Sequence, residues 1–294
     1  MKENQTKKTK ISPEEFGDSF LNGKFSNLYH QSTIDFQNAV SLQQLMEYGL
    51  DFNAGVKKYT LEMVTNLKED IKQYIWFDNT RKKVLSVSFD GNDTIYGMNL
   101  APFVTYPESD SRYSKNRYIM PIKEEWFVFW GGTNQFINYH YVYDEQRYAY
   151  DLIILNDGKS YSDSPQNNEN YYAFNKEILA PADGVVIKVI DGIEDNVPGE
   201  MKPDIPEGNC IIVEHPHQEY SMLAHLKNHS ILVQEGDRVK RGQVVGLCGN
   251  SGNSTETHLH FQVMDSSDYL KGKSIRIQFE DGQEPIQGDF IRSH

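Results

Sequence analysis

Hydrophobic and polar residues follow two different periods along the first hundred residues. Ser12 and Glu15 have the spacing of a capping box and are followed by apolar residues at helical spacing, and residues 41–44 repeat this helix start. Further along, the period becomes that of strands, with turn residues at 78–79 and 90–92. Four strands are predicted, at residues 59–67, 73–77, 83–89 and 94–100. The pattern therefore predicts helices packed on one face of an antiparallel meander, which is a small α+β domain.

The second half of the chain contains short apolar segments separated by glycine turns. Their close spacing is typical of an all-β domain, and they lie at residues 180–186, 208–214, 220–226 and 235–246. A polar stretch around Pro107, at residues 106–117, has the composition of a linker. We therefore predict the α+β domain over residues 1–104, a linker over 105–121 and a mainly β domain over 122–294.

Two histidines on one predicted strand are the most informative chemical feature. In Thr257-His258-Leu259-His260-Phe261 the side chains alternate, so His258 and His260 point to the same side, about 7 Å apart. That separation suits one histidine as a metal ligand and the other beside a water that the metal activates. A second pair, His215-Pro216-His217, contains a proline that breaks strand alternation, so a turn with exposed histidines is predicted there.

Six motifs follow one another in a specific order. They are A-P-A-D-G-V-V at 180–186, G-N-C-I-I-V-E-H at 208–215, L-A-H-L at 223–226, E-G-D-R-V-K-R-G-Q-V-V-G at 235–246, G-N-S-G-N-S at 249–254 and H-L-H-F-Q at 258–262. In this order they resemble the lysostaphin/LytM-type zinc metallopeptidases, which have a duplicated hybrid motif fold of β-strands in a sandwich or barrel. The resemblance covers residues 122–280. The first domain resembles a cystatin-like or NTF2-like domain of uncharacterised function that precedes various hydrolases.

The resemblance implies one zinc ion, held by a histidine, an aspartate and the second histidine of H-x-H, which is His260. Asp151 matches the aspartate, on a predicted strand at residues 147–155 where a lone carboxylate interrupts an apolar row. A cation would offset the cost of burying that carboxylate.

The first zinc ligand departs from the usual spacing of the family. Four residues before Asp151 the chain has Arg147, and the nearest preceding histidine is His140. We therefore expect residues 141–146 to loop out and return His140 to the metal. The familiar H-x-x-x-D spacing of His140 with Asp144 stays open as an alternative, although a ligand on a strand is better preorganised than one on a polar loop.

The catalytic residues implied by the resemblance are His225 and His258. His225 matches the catalytic histidine of L-A-H-L, and a core histidine that donates to a backbone carbonyl is the alternative. Three protein ligands leave zinc an open position for water, and the chain has no H-E-x-x-H glutamate to act as the base. One of the two histidines is expected to orient or deprotonate the water, and the other to stabilise the oxyanion or protonate the leaving amine.

The leading hypothesis is a zinc endopeptidase that cuts peptide stems or cross-bridges of peptidoglycan. A catalytically inactive LytM-like binding or regulatory protein of the cell envelope is the first alternative. It is kept open by the displaced first histidine and by Glu256-Thr257, where the family often has Gly-Pro. A phosphocarrier-like domain is the second alternative, but it would have no need for Asp151.

Composition narrows the choice of partners. The formal charge of −13 and the pI of about 5.1 argue against nucleic acid or an anionic membrane surface as the main partner. We find no transmembrane run and no apolar signal-peptide core after the first ten residues, so a location in the cell envelope is implied only by the resemblance. Cys210 and Cys248 lack C-x-x-C spacing and are expected to be free thiols.

Two long polar insertions and a group of tyrosines are candidates for the walls of a groove. The insertions, at residues 156–175 and 191–208, exceed ordinary connection lengths, and loops of this kind often border a binding cleft. Simple surface excursions are the alternative. The tyrosines either line a substrate groove or, for most of them, pack within strands; they are Tyr139, Tyr141, Tyr143, Tyr148 and Tyr150.

Overall fold

The computed structural model describes residues 10–292. It divides into two compact units, Met1–Val104 and Thr105–His294. The first combines helices with an antiparallel sheet and the second consists mostly of β-strands, which confirms the predicted fold class. Within residues 10–292, every helix is too short or too polar to span a lipid bilayer.

The first unit has four helices followed by a four-stranded meander. The helices are α1 (Phe16–Leu21), α2 (Phe25–Gln31), α3 (Ile34–Ala39) and α4 (Leu42–Phe52), and the strands are β1 (Tyr59–Asn66), β2 (Lys72–Asp78), β3 (Lys83–Phe89) and β4 (Ile95–Pro102). The strands pair in the order β1-β2-β3-β4, all antiparallel. Their apolar face packs on the helices, where Phe16 lies 5.3 Å from Trp76 between ring centroids.

The helix starts at Ser12 and Ser41 are both present, and each forms a capping box. The first begins as a 3₁₀ turn at Pro13–Glu15 before α1. The helices α2 and α3 were not predicted from the sequence. The residue before α2, Lys24, provides no side-chain cap, and both helices are at most seven residues long, so neither leaves a strong local signal.

The second unit is built on one large antiparallel sheet. Its elements are α5 (Pro107–Asp110), β5 (Trp126–Trp130), β6 (Tyr150–Ile153), β7 (Glu177–Leu179), β8 (Gly184–Ile190), β9 (Asn209–His215), β10 (Glu219–Leu226), β11 (Arg238–Val239), β12 (Val244–Leu247), β13 (Leu259–Met264) and β14 (Phe290–Ile291). Eight strands pair in the order β11-β8-β9-β10-β13-β6-β5-β14, and β12 pairs with β7. Leu259, Phe261 and Val263 of β13 point into the main core, as the alternation of this strand predicts.

Residues 105–121, which the sequence predicts as a linker, pack within the second unit. Tyr118 is fully buried and donates a hydrogen bond from its hydroxyl to Glu219. Tyr148 donates from its hydroxyl to Asp110 Oδ1 at 2.8 Å, and the Arg276 guanidinium donates to the carbonyl of Asp110. Composition alone does not reveal these long-range contacts, because the same polar residues are typical of a solvated linker.

The second histidine pair differs from its prediction at one of its two positions. His217 is exposed on a turn, but His215 is only 4 % exposed at the end of β9. The Nδ1 of His215 lies 2.8 Å from the carbonyl of Asp183, and its Nε2 lies 2.8 Å from the Ser221 hydroxyl. His215 is therefore a hydrogen-bonded core residue. Cys210 and Cys248 are buried free thiols, as predicted.

Candidate metal centre

Three neighbouring strands of the second unit place the predicted site residues side by side. His260 on β13 pairs with Ala224 of β10 on one side and with Asp151 of β6 on the other. His225 follows Ala224 at an irregularity of β10 and has a φ of +62°, which is unusual for a residue other than glycine. Strained backbone of this kind persists only where its surroundings hold it, and it concentrates at functional sites.

His140, Asp151 and His260 form a buried group with the composition of a metal site. Each offers one ligand atom, and these atoms lie within 4.8 Å of one another. The Nδ1 of His260 is 2.9 Å from Asp151 Oδ1, and the Nε2 of His140 is 3.5 Å from Asp151 Oδ2. Two imidazoles and one carboxylate are a donor set that suits zinc with an open coordination position.

The environment of His140 suits a metal ligand. His140 is fully buried, and its Nε2 has no hydrogen-bond partner within the described part of the chain. On the other side of the ring, Nδ1 lies 2.9 Å from the side-chain oxygen of Asn138, which also accepts a hydrogen bond from the backbone N–H of His140. A buried nitrogen without a partner is costly, and a metal ion would satisfy it.

The charges of the three groups also fit a metal site. Burial lowers the pKa of His140 to about 3, so this imidazole is neutral at neutral pH. Burial alone would raise the pKa of Asp151, but the surrounding imidazoles of His140, His258 and His260 hold it well below its usual range. Burial opposes the protonation of His260, yet its hydrogen bond with Asp151 raises its pKa. A bound metal would displace the proton of His260, because ligand imidazoles are neutral.

A chain of side-chain contacts fixes the ring of His260. Its Nε2 donates to the side-chain oxygen of Gln262 at 2.9 Å, and Gln262 in turn donates to the carbonyl of Glu145 at 3.1 Å. The nitrogen that faces Asp151 is therefore Nδ1. Gln262 belongs to the H-L-H-F-Q motif, but its position in the motif does not indicate that it orients the ring of His260.

His225 and His258 lie beside the group of three without belonging to it. Their ring centroids are 4.6 Å apart, and the Nε2 of His258 is 3.7 Å from Asp151 Oδ1. His225 donates from Nδ1 to the carbonyl of Ser251, and His258 donates from Nδ1 to the carbonyl of Glu256. Burial lowers the pKa of His225 well below its usual value, and the neighbouring histidines add to this effect. A backbone carbonyl thus occupies the Nδ1 of each ring, and the Nε2 of His258 lies on the side of Asp151.

Asp144, the alternative partner for His140, lies elsewhere. Its side chain is 60 % exposed and forms ion pairs with Arg147 and Lys273. Residues 141–146 begin with the end of a 3₁₀ turn at Tyr139–Val142 and then return the chain to β6, so the segment does loop out between His140 and Asp151. Asn138, two residues before His140, is the main supporting residue that we did not single out; only its N-x-H spacing could have drawn attention to it.

The insertion at residues 191–208 borders the site. Asn196 is buried and donates from its side chain to the carbonyls of Gly252 and Ser254, in the loop that orients the two unliganded histidines. Glu207, at the end of the insertion, accepts a hydrogen bond at its carbonyl from the backbone N–H of His225. The insertion is therefore part of the wall of the site.

Comparison with known proteins identifies the second unit. Residues 171–274 match Peptidase family M23, a range that includes His225, His258 and His260 but neither His140 nor Asp151. The chain is 39% identical over 57 residues to the peptidoglycan DD-endopeptidase ShyA of Vibrio cholerae, covering 19% of this chain and 13% of ShyA. It is 40% identical over 68 residues to the murein hydrolase activator NlpD of Escherichia coli, covering 23% of this chain and 16% of NlpD.

The similarity is local. The chain spans less than a quarter of the length of the curated relatives that it matches. Among solved structures, the catalytic domain of lysostaphin from Staphylococcus simulans aligns with a TM-score of 0.26 and 24% identity, over 40% of this chain and 86% of that domain. The family match itself shows that residues 171–274 of this chain are similar to a Peptidase family M23 domain, and the curated relatives above include both a peptidoglycan endopeptidase and a murein hydrolase activator.

Proposed function

We propose that the second unit is a zinc-dependent endopeptidase that hydrolyses peptide bonds in the stems or cross-bridges of peptidoglycan. The main support is the convergence of His140, Asp151 and His260, where the Nε2 of His140 has no hydrogen-bond partner among residues 10–292. Peptidase family M23 is a family of zinc-dependent enzymes, and the similarity to a peptidoglycan endopeptidase points to the same polymer as the substrate.

His140, Asp151 and His260 would hold the zinc ion. Zinc in such a site acts as a Lewis acid and lowers the pKa of a water molecule to about 7. Asn138 and Gln262 would hold the rings of His140 and His260 in place. Each amide oxygen accepts a hydrogen bond from the ring nitrogen that does not face Asp151.

His225 and His258 would carry the proton transfers of the hydrolysis. Each ring is held by a hydrogen bond from Nδ1 to a backbone carbonyl, which leaves Nε2 free to accept a proton. One Nε2 would remove a proton from the attacking water. The other ring, protonated at Nε2, would give its proton to the nitrogen of the leaving amine, so that one proton is taken up and one is released in each cycle. His225 is buried and the side chain of His258 is 13 % exposed, so little of either ring faces bulk water.

Substitution of single histidines separates ligands from catalytic residues. Asp151→Ala and His260→Ala should lose zinc and activity together, as measured by metal analysis and by release of peptides from purified cell walls. His258→Ala and His225→Ala should retain nearly one zinc per chain and lose turnover. His217→Ala is the matched control, since this histidine is exposed on a turn, and should retain both properties. Full turnover by His258→Ala would contradict the mechanism.

The similarity to a murein hydrolase activator supports a second candidate function. In that case the unit would keep the fold and regulate a separate murein hydrolase without cutting peptides itself. The same assays distinguish the two. An activator would release nothing from purified walls when saturated with zinc, but it would stimulate wall degradation by an added murein hydrolase.

A further inference from the structure

A cavity of about 330 Å³ opens beside the metal centre on the side of β10. His225 and His260 form its inner end, so a molecule that occupies it would lie next to the bond that the proposed enzyme cuts. The loop after His140 and the end of the insertion at residues 191–208 supply its sides, through Tyr143, Glu145 and Glu207. The cavity thus has the position of a substrate side-chain pocket.

The carboxylates that line this cavity give it a negative charge. Glu145 and Glu207 both line it, and none of its lining residues in the described chain is lysine or arginine. Glu207 is only 8 % exposed, and its Oε2 has no hydrogen-bond partner among residues 10–292. Burial and the nearby Glu207 carboxylate together raise the pKa of Tyr269, so the two side chains interact inside the lining of the cavity. A buried carboxylate oxygen without a partner is costly, and a cation would offset that cost.

Aromatic rings complete the lining. Tyr139 and Tyr143 are 45 % and 48 % exposed, which is unusual for such large side chains. Aromatic faces attract ammonium groups, and the attraction adds to that of a nearby carboxylate. Tyr269 also lines the cavity, but the Lys188 ammonium already lies 4.8 Å from the centroid of its ring. The Tyr139 ring packs on His140, with ring centroids 3.9 Å apart, so Tyr143 and the exposed side of Tyr139 are the aromatic surfaces that remain for a ligand.

We propose that this cavity binds a primary ammonium group of the peptide substrate, held by Glu207 and Glu145 and flanked by Tyr139 and Tyr143. The inference rests on the proposed peptidase function, and it narrows the substrate to peptides that carry an amine near the scissile bond. The same ammonium chemistry is offered by a lysine-type side chain and by a free N-terminus. A carboxylate at this position would be repelled by both glutamates.

Binding of matched peptides to the full-length, zinc-loaded protein tests the proposal by calorimetry. One series has an acetylated N-terminus and carries lysine, Nε-acetyl-lysine or glutamate at the same position of a stem-type peptide. The other series lacks lysine and has either a free or an acetylated N-terminus. In one of the two series, acetylation of the amine should weaken binding by at least about tenfold, which corresponds to about 1.4 kcal/mol. The series that responds identifies the source of the ammonium.

Three variants assign the effect to the cavity. Glu207→Gln keeps the shape of the side chain, and it should reduce the preference for the amine to about threefold or less. Glu145→Gln should also reduce the preference for the amine. If Glu207→Gln fails to fold, Glu145→Gln alone tests whether the acidic lining of the cavity causes this preference. Glu200→Gln removes the same charge from an exposed site of the insertion outside the cavity, and it should leave the preference unchanged.

The outcomes separate this inference from the proposed function. Equal binding of amine and acetylated peptides in both series overturns the inference, as does a preference that survives both Glu207→Gln and Glu145→Gln. Absence of hydrolysis in parallel assays, with the preference retained, counts against the peptidase function and leaves the ammonium site supported.

Discussion

Replacement of Asn138 by alanine should weaken zinc binding although this residue would not touch the metal. Asn138 is fully buried at the start of the 3₁₀ turn that carries His140. Its side-chain oxygen accepts hydrogen bonds from the backbone N–H of His140 at 3.1 Å and from Nδ1 at 2.9 Å. Its amide nitrogen donates to the carbonyls of Gly132 at 3.0 Å and Ala149 at 3.1 Å. One side chain thus connects His140 to the chain just before β6.

The structure sets the size of the expected effect. Each hydrogen bond contributes about 1 kcal/mol net, and Asn138→Ala removes four from a site that water does not reach, so the free energy of unfolding should fall by about 2–4 kcal/mol. Groups that orient a metal ligand typically contribute about 10–100-fold to metal affinity. The dissociation constant for zinc should therefore rise by that factor, because the His140 ring loses the acceptor that fixes its tautomer and its direction.

Competition with a chromophoric zinc chelator measures the affinity, and urea unfolding of the metal-free protein measures the stability. Asn53→Ala is the matched control. Its side chain belongs to the first unit, where it donates a hydrogen bond to the carbonyl of Phe20 and accepts one from the Tyr59 hydroxyl. This variant should also lose stability and keep its zinc affinity. Equal zinc affinities for Asn138→Ala and the wild type would refute the reasoning.

Two further predictions concern stability. Burial lowers the pKa of His215 below its ordinary value of 6.5, so the unfolded chain takes up a proton below that pH while the folded protein does not. The free energy of unfolding should fall as the pH drops below 6.5, by up to about 1.36 kcal/mol per pH unit from this group. Urea unfolding between pH 7 and pH 5 measures this loss. The loss due to His215 should be present in the control His217→Gln and absent in His215→Gln. Gly49→Ala would gain about 1 kcal/mol of helix propensity. The added Cβ would however lie 2.4 Å from the ring of Phe25, and such an overlap costs about 1–3 kcal/mol. Thermal unfolding of this variant should therefore have a lower midpoint than that of the wild type. A higher midpoint would contradict the packing argument.

Local patterns predicted the meander of the first unit closely. The four strands begin and end within two residues of their predicted bounds, because alternation with period two and the turn residues at 78–79 and 90–92 act over short distances. The helix starts at Ser12 and Ser41 were also predicted correctly, because the sequence signal of a capping box spans only four residues. The helix α2 has no side-chain cap and is stabilised by the burial of Phe25 and Leu28, while α3 is capped by Thr33 but is only six residues long.

Local sequence patterns predicted only some residues of the candidate site. His258 and His260 stand out because they share one face of a strand, and Asp151 because it interrupts an apolar row. His140 lies eleven positions before Asp151, so its place beside the carboxylate depends on a turn that periodicity does not describe. The role of Glu207 depends on a contact with Tyr269, sixty-two positions further along the chain. Contacts of this range are set by the tertiary fold and leave no spacing rule in the sequence.

The two ligand imidazoles are oriented by amide side chains. Asn138 accepts the hydrogen of His140 Nδ1, and Gln262 accepts the hydrogen of His260 Nε2, so opposite nitrogens of the two rings face Asp151. A single substitution removes either amide. If the proposed zinc site is correct, individual side chains should therefore control its metal affinity.

The two unliganded imidazoles are oriented by the backbone. Ser251 and Glu256 each offer a carbonyl to the Nδ1 of one ring, and both carbonyls belong to the loop that Asn196 of the insertion holds by two hydrogen bonds. No side-chain replacement in that loop removes these acceptors, so the direction of the two Nε2 atoms depends on the path of the loop as a whole. Since the insertion fixes that path, changes in the insertion should alter turnover while the zinc content stays constant, whereas changes at Asp151 should remove zinc and turnover together.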